Sequence, residues 1–173
     1  MKKNEEEKNM AIVKRSDKKA FYGVAGESAT VYHRMSKFTE ISTSKNPVEY
    51  SRQYVDEDFE VSDVIGYAPS VSIAFDLHTD NAVHKDIVEI YDKEKTGDAA
   101  VREIITVDFT QPVTGSAGHY KAYKRSFAVI PGDEGGDTDR YGYSAELKAK
   151  SGVTVGSATS TDEWQTLTFA EEE

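Results

Sequence analysis

The sequence predicts a mainly β domain, an antiparallel β-sandwich or barrel with one flanking α-helix at about residues 80–95. Three observations lead there. Short apolar–polar alternations recur along the chain, the segments between them carry turn residues, and only one stretch has helical periodicity. The 173 residues suffice for one domain with a real core, read here as a single unit over 11–173 behind a disordered leader at 1–10.

Taken in order, the leader MKKNEEEKNM is charged and has no apolar run, so it does not read as a secretory signal. Met10 opens a second, more conventional start. Strand character begins at VYHRMSKFTEIST (31–43), rich in β-branched and aromatic residues. Pro47 interrupts it, and the extended, very polar segment at about 44–66 reads as a long loop. The stretch 67–77 alternates cleanly, with Val71, Ile73, Phe75 and Leu77 on one face and Ser72, Ala74 and Asp76 on the other.

The helix follows. Asp80 is placed to cap it, Val83, Ile87, Ile90 and Tyr91 form its apolar stripe, and Glu89 faces Lys93 one turn on. Gly97 marks where the chain could leave it. Four more strands are predicted at 101–109, 120–130, 141–150 and 164–169. Between them lie the loops GSAGH, PGDEGGDTD and SGVTVGSATSTD, and Pro131-Gly132 is the turn signal ending the second.

Composition removes whole classes of function. The chain has no cysteine, so disulfides, thiolate metal sites and thiol nucleophiles are excluded. A formal net charge of −10 argues against holding a nucleic-acid backbone. No run approaches a membrane span, so no membrane binding is expected.

Candidate chemistry is thin. Asp56, Glu57, Asp58, Glu60 and Asp63 resemble half a calcium loop, but the turn glycine is missing and the flanks are not helical. Asp133, Asp137 and Asp139 could hold a hard cation, yet Gly/Asp clusters are first of all turn formers. His33, His78, His84 and His119 fall at no metal-binding spacing, although His78 and His84 bracket the helix start. Neither a nucleophile elbow nor a phosphate-binding glycine loop is present. The expectation is therefore a protein that is not an enzyme and needs no metal or cofactor. The acidic, tyrosine-bearing segment reads as a contact surface, and the basic cluster Lys14, Arg15, Lys18 and Lys19 as an arm that could dock on it in another copy. Such a head-to-tail contact builds rings or filaments.

Three stretches resemble a known family: MAIVKR near the start, DVIGYAPSVSIAFDLHTDNAVHKDIVEIY, and AYKRSFAVIPGDEGGD. Their order and spacing are similar to the tail tube (major tail) proteins of tailed bacteriophages, particularly those of Gram-positive hosts, over residues 11–169. In that family an aliphatic strand ending in Asp or His runs directly into the single helix. The resemblance implies a structural virion protein, made in the host cytoplasm, whose homo-hexameric rings stack into the tail tube. Genomic DNA would pass through without specific binding, and the tape measure, tail terminator and distal tail or baseplate proteins would be partners. It implies that the loop carrying Glu49, Tyr50, Arg52, Tyr54, Asp56, Glu57, Asp58, Phe59, Glu60 and Asp63 reaches a neighbouring subunit or ring. It also implies stacking contacts from the N-terminal arm. Ser72, Asp76, Ser144, Glu146 and Lys148 are the candidates for lining the lumen, because they form the polar strand faces. The rival reading is a monomeric β-sandwich binding module, adhesin-like or carbohydrate-binding, with the tyrosines as a stacking platform; a metal-assisted hydrolase comes third.

Overall fold

A computed structural model describes residues 12–172; the leader at 1–10 lies outside them. Eleven strands are present: β1 (Lys18–Ala25), β2 (Thr30–Arg34), β3 (Phe38–Ser44), β4 (Pro47–Arg52), β5 (Val61–Tyr67), β6 (Ser70–Asp76), β7 (Val101–Pro112), β8 (Tyr120–Gly135), β9 (Gly142–Ala149), β10 (Thr154–Thr159) and β11 (Thr166–Glu171). The helix α1 (Ala82–Asp92) lies between β6 and β7. The mainly β, one-helix architecture predicted from alternation is what the chain adopts.

Nine strands form one antiparallel sheet in the order β10-β11-β2-β1-β7-β8-β9-β6-β3. The sheet does not stay open. β10 also pairs with the first half of β8, through Thr154↔Lys124 to Ala158↔Tyr120, so six strands close into a barrel. The second half of β8 pairs instead with β9, which carries β6 and β3 as an open extension. β8 is thus one wall of the barrel and the first strand of the extension.

Two apolar clusters follow from this division. Inside the barrel, Phe21, Ile105, Val107, Ala122, Ala158 and Leu167 pack together under a cap of Phe109, Tyr120 and Trp164 rings. On the other side, α1 lays Val83, Ile87 and Ile90 onto Tyr22, Val71, Ile73, Phe75, Ile104, Phe127, Val129 and Leu147. Strands β1 and β7 therefore bury both faces, one to each core. Consecutive residues Phe21 and Tyr22 are both fully buried and go opposite ways. This is why KKAFYGVA shows no alternation and escaped prediction as a strand.

Several local predictions are corrected. The stretch 31–43 is not one strand: it breaks at Lys37, which takes a left-handed φ of 60°, giving β2 and β3. Asn81, not Asp80, caps α1, its side-chain oxygen accepting from the Val83 and His84 amides; Asp80 pairs with Lys37 instead. Pro131-Gly132 does not end β8, which continues to Gly135 across a register shift against β9 that accommodates a residue without an N–H. The supposed loop SGVTVGSATSTD contains β10. A residue without a side chain is needed at Gly156 for β10 to pair with β11, since a Cβ there would lie 2.2 Å from the Ala170 carbonyl oxygen. The predicted Glu89–Lys93 pair is present at 2.6 Å.

The turn into β11 is fastened by Asp162. It accepts from the Thr166 hydroxyl and amide and from Ser160, and these hydrogen bonds hold its carboxyl down at about 2. The turn stays charged and fixed at ordinary pH.

Candidate interaction site

The segment predicted as a loop at about 44–66 is a two-stranded hairpin. β4 and β5 pair from Pro47↔Tyr67 to Arg52↔Val61, apart from the nine-stranded sheet. Its base is pinned where Asn46 and Ala68 exchange hydrogen bonds, Ala68 N–H to Asn46 O at 3.0 Å and Asn46 Nδ2 to Ala68 O at 3.0 Å. Beyond that base the two strands contact mainly each other.

The hairpin carries nine of the fifteen exposed large hydrophobic residues of the described chain, among them Val55, Phe59, Ile65 and Tyr67. Among the described residues nothing covers either of its faces, so Val64 on one and Tyr50 and Val61 on the other are exposed. A two-stranded ribbon is marginal in water unless something packs on it. Contiguous exposed apolar surface of this kind is uncommon on single-chain proteins.

The predicted contact residues are distributed along this ribbon. Glu49, Tyr50, Arg52 and Asp63 sit on its strands, and Tyr54, Asp56, Glu57, Asp58, Phe59 and Glu60 in its tip. Arg52 donates to the Tyr50 hydroxyl at 3.0 Å and stacks on the Tyr54 ring at 5.6 Å. The tip is closed by the Glu57 amide on the Tyr54 carbonyl and by Gln53 on the Glu57 carbonyl. Among the described residues no group of three or more His, Asp or Glu is arranged to hold a metal ion, and no helix is long and apolar enough to cross a membrane.

The basic cluster is not a free arm. Arg15 lies in a short 3-10 turn that Lys14 precedes, and Lys18 and Lys19 belong to β1, paired with Asp108 and Val107 of β7. Lys18 bridges to the buried Asp108 at 3.2 Å, and Lys19 lies over the Phe109 ring at 5.0 Å. With Arg34 at the end of β2 and Lys37 in the β2–β3 connection, Arg15, Lys18 and Lys19 line a cavity of about 380 Å³. Sequence reasoning missed Arg34 and Lys37, because only the return of β2 beside β1 brings them there.

The polar residues proposed to face a lumen do share one surface. Register pairs Ser72 with Glu146, Ala74 with Ser144 and Ser70 with Lys148, so the side chains of Ser72, Asp76, Ser144, Glu146 and Lys148 stand opposite the α1 core. The surface is mixed in sign: Glu146 lies 3.5 Å from Lys148, and Asp76 is 3.2 Å from Arg140.

No protein-family model and no curated protein matches this chain. Among solved structures, a chain from the cryo-EM structure of the anti-feeding prophage baseplate, 6-fold symmetrised, is similar to it with a TM-score of 0.47 and 8% sequence identity, covering 85% of this chain and 95% of that one.

Proposed function

We propose that this chain is a structural protein of a phage tail, without catalytic activity, whose copies assemble into six-membered rings that stack as a tail tube. The observation that carries the reading is the β4–β5 hairpin, a paired ribbon whose apolar residues are not covered by any other described residues of the chain. The sequence resemblance to tail tube proteins supplies the ring and the tube. A second feature is consistent with it: among the described residues β3, at the end of the nine-stranded sheet, pairs only with β6, leaving an edge that a neighbouring sheet could join. The net charge of −10 suits a conduit that must not retain DNA. In this reading the polar surface of β6 and β9 faces the lumen, and tape measure, terminator and baseplate proteins meet the tube at its ends. The protein resides in the virion tail after a period in the host cytoplasm.

Negative-stain electron microscopy of concentrated pure protein tests this, with six-fold rings or tubes as the expected result. A particle that sediments as a single chain at every concentration and salt would overturn it. Removing residues 47–67 and joining Asn46 to Ala68, already hydrogen-bonded to each other, leaves a folded chain that does not assemble.

A further inference from the structure

The acidic tip and the basic cavity lie at opposite ends of one strand. Phe38, Thr39 and Ile41 at the start of β3 line the cavity, while its last residue, Ser44, leads into the hairpin. No hairpin residue lines the cavity. At about 3.4 Å per residue the hairpin carries its tip roughly 20 Å beyond its base.

The two surfaces match in chemistry. Asp56, Glu57, Asp58 and Glu60 flank the exposed Phe59 along the tip, with Asp63 following on β5. The cavity offers the reverse arrangement: Met35, Phe38 and Ile41 are buried or half-buried, and Arg15, Lys18, Lys19, Arg34 and Lys37 line it beside them. Lys18 and Lys37 are partly answered by Asp108 and Asp80. Among the described residues Arg15, Lys19 and Arg34 make no ion pair. Positive charge beside an apolar centre is complementary to an acidic segment carrying an exposed aromatic ring, and an apolar centre within a charged rim is how protein contacts are built.

We infer that the hairpin tip of one copy seats in this cavity of the next, with Phe59 against Met35, Phe38 and Ile41 and with Asp58 and Glu60 meeting Arg34 and Lys19. This rests on the reading that copies of the chain assemble, and it assigns the receiving surface. Donor and acceptor sit at different ends of β3, so the contact is head-to-tail and each copy retains one free tip and one free cavity until a ring closes.

The chain has no cysteine, which makes the contact directly testable. Full-length Asp58→Cys and Thr39→Cys variants are mixed under mild oxidation while the unmodified protein is followed by sedimentation. The expected result is a disulfide between the two different chains, formed about tenfold faster than between identical ones. Reversing charge on one side, Asp58→Lys with Glu60→Lys or Lys19→Glu with Arg34→Glu, weakens assembly about tenfold, and combining all four substitutions restores it. If the unmodified protein assembles but the mixed disulfide does not form and the four-fold variant stays defective, the tip–cavity contact is overturned while the assembly reading stands. If the unmodified protein never assembles, both fall. If Thr39→Cys closes instead on a cysteine introduced at Glu6 of its own chain, the cavity belongs to the leader and the inference is overturned.

Discussion

The Tyr22 hydroxyl donates to Asp86 Oδ2 at 2.7 Å in the middle of the α1 core, joining the barrel wall to the helix. Arg102 holds the same carboxylate with two further hydrogen bonds, from Nε at 2.8 Å and Nη2 at 3.1 Å. Burial first, and then the Asp86 charge, push Tyr22 well above its ordinary value and keep it a donor. The members are unequal in what they leave behind. Tyr22→Phe removes one hydrogen bond and is expected to cost about 1 kcal/mol. Asp86→Ala strands Arg102 without its counter-charge and is expected to cost roughly 3–5 kcal/mol. Urea midpoints of the two variants give the comparison, and equal losses would contradict it.

His84 gives the fold a response to acid. It is fully buried, stacked on Phe75 at 4.2 Å, with Phe38 at its edge, and its Nδ1 accepts from the His78 amide. Burial, followed by the nearby His78, lowers it from 6.5 to about 4. Between those values the unfolded chain binds a proton that the folded chain refuses, so stability falls as pH drops through this window and is unaffected by His84 above it. A loss of about 2–3 kcal/mol between pH 7 and pH 4 is expected from this group. His84→Leu should flatten that part of the curve in denaturant titrations; an unchanged slope would count against the assignment.

Gly156→Ala should be far more damaging than its chemistry suggests. The added methyl meets the Ala170 carbonyl oxygen at 2.2 Å and the Phe169 ring at 2.6 Å, so β11 must move off β10 where the barrel closes. A loss of roughly 2–3 kcal/mol is expected, as for overpacking. The near-ultraviolet signal of the single tryptophan, Trp164, which packs on Phe21 and Phe109, reports the disturbance.

The hairpin separates stability from assembly. Val55→Ser, Phe59→Ser and Ile65→Thr, each at an exposed position, should change the unfolding free energy of the isolated chain by no more than about 0.5 kcal/mol and still abolish rings. Hydrogen exchange gives the same contrast: amides of 47–67 should exchange rapidly in single chains and slowly after assembly.

What could be read from the sequence follows burial. β6 and β9 bury one face only, so Val71, Ile73 and Phe75, and Tyr143, Ala145 and Leu147, alternate and were legible, as was the stripe of α1. β1 buries both faces and loses its period. β10 packs so closely that Gly156 and Ala158 replace the β-branched residues that announce a strand. The hairpin was legible as an acidic, aromatic segment with little to bury on its own subunit, but its pairing was not, since neither face of β4 or β5 is selected by a core. The cavity was half legible: Arg15, Lys18 and Lys19 are neighbours in sequence, whereas Arg34 and Lys37 join them only through the fold.

The double membership of β8 has a mechanical consequence. A pull on the hairpin passes from β3 through β6 and β9 into β8, and from there directly into the barrel. Each step on this path is a row of backbone hydrogen bonds between paired strands, so tension at one end loads several rows in shear before any strand can peel away. A chain wired in this way should resist stretching as one stiff body.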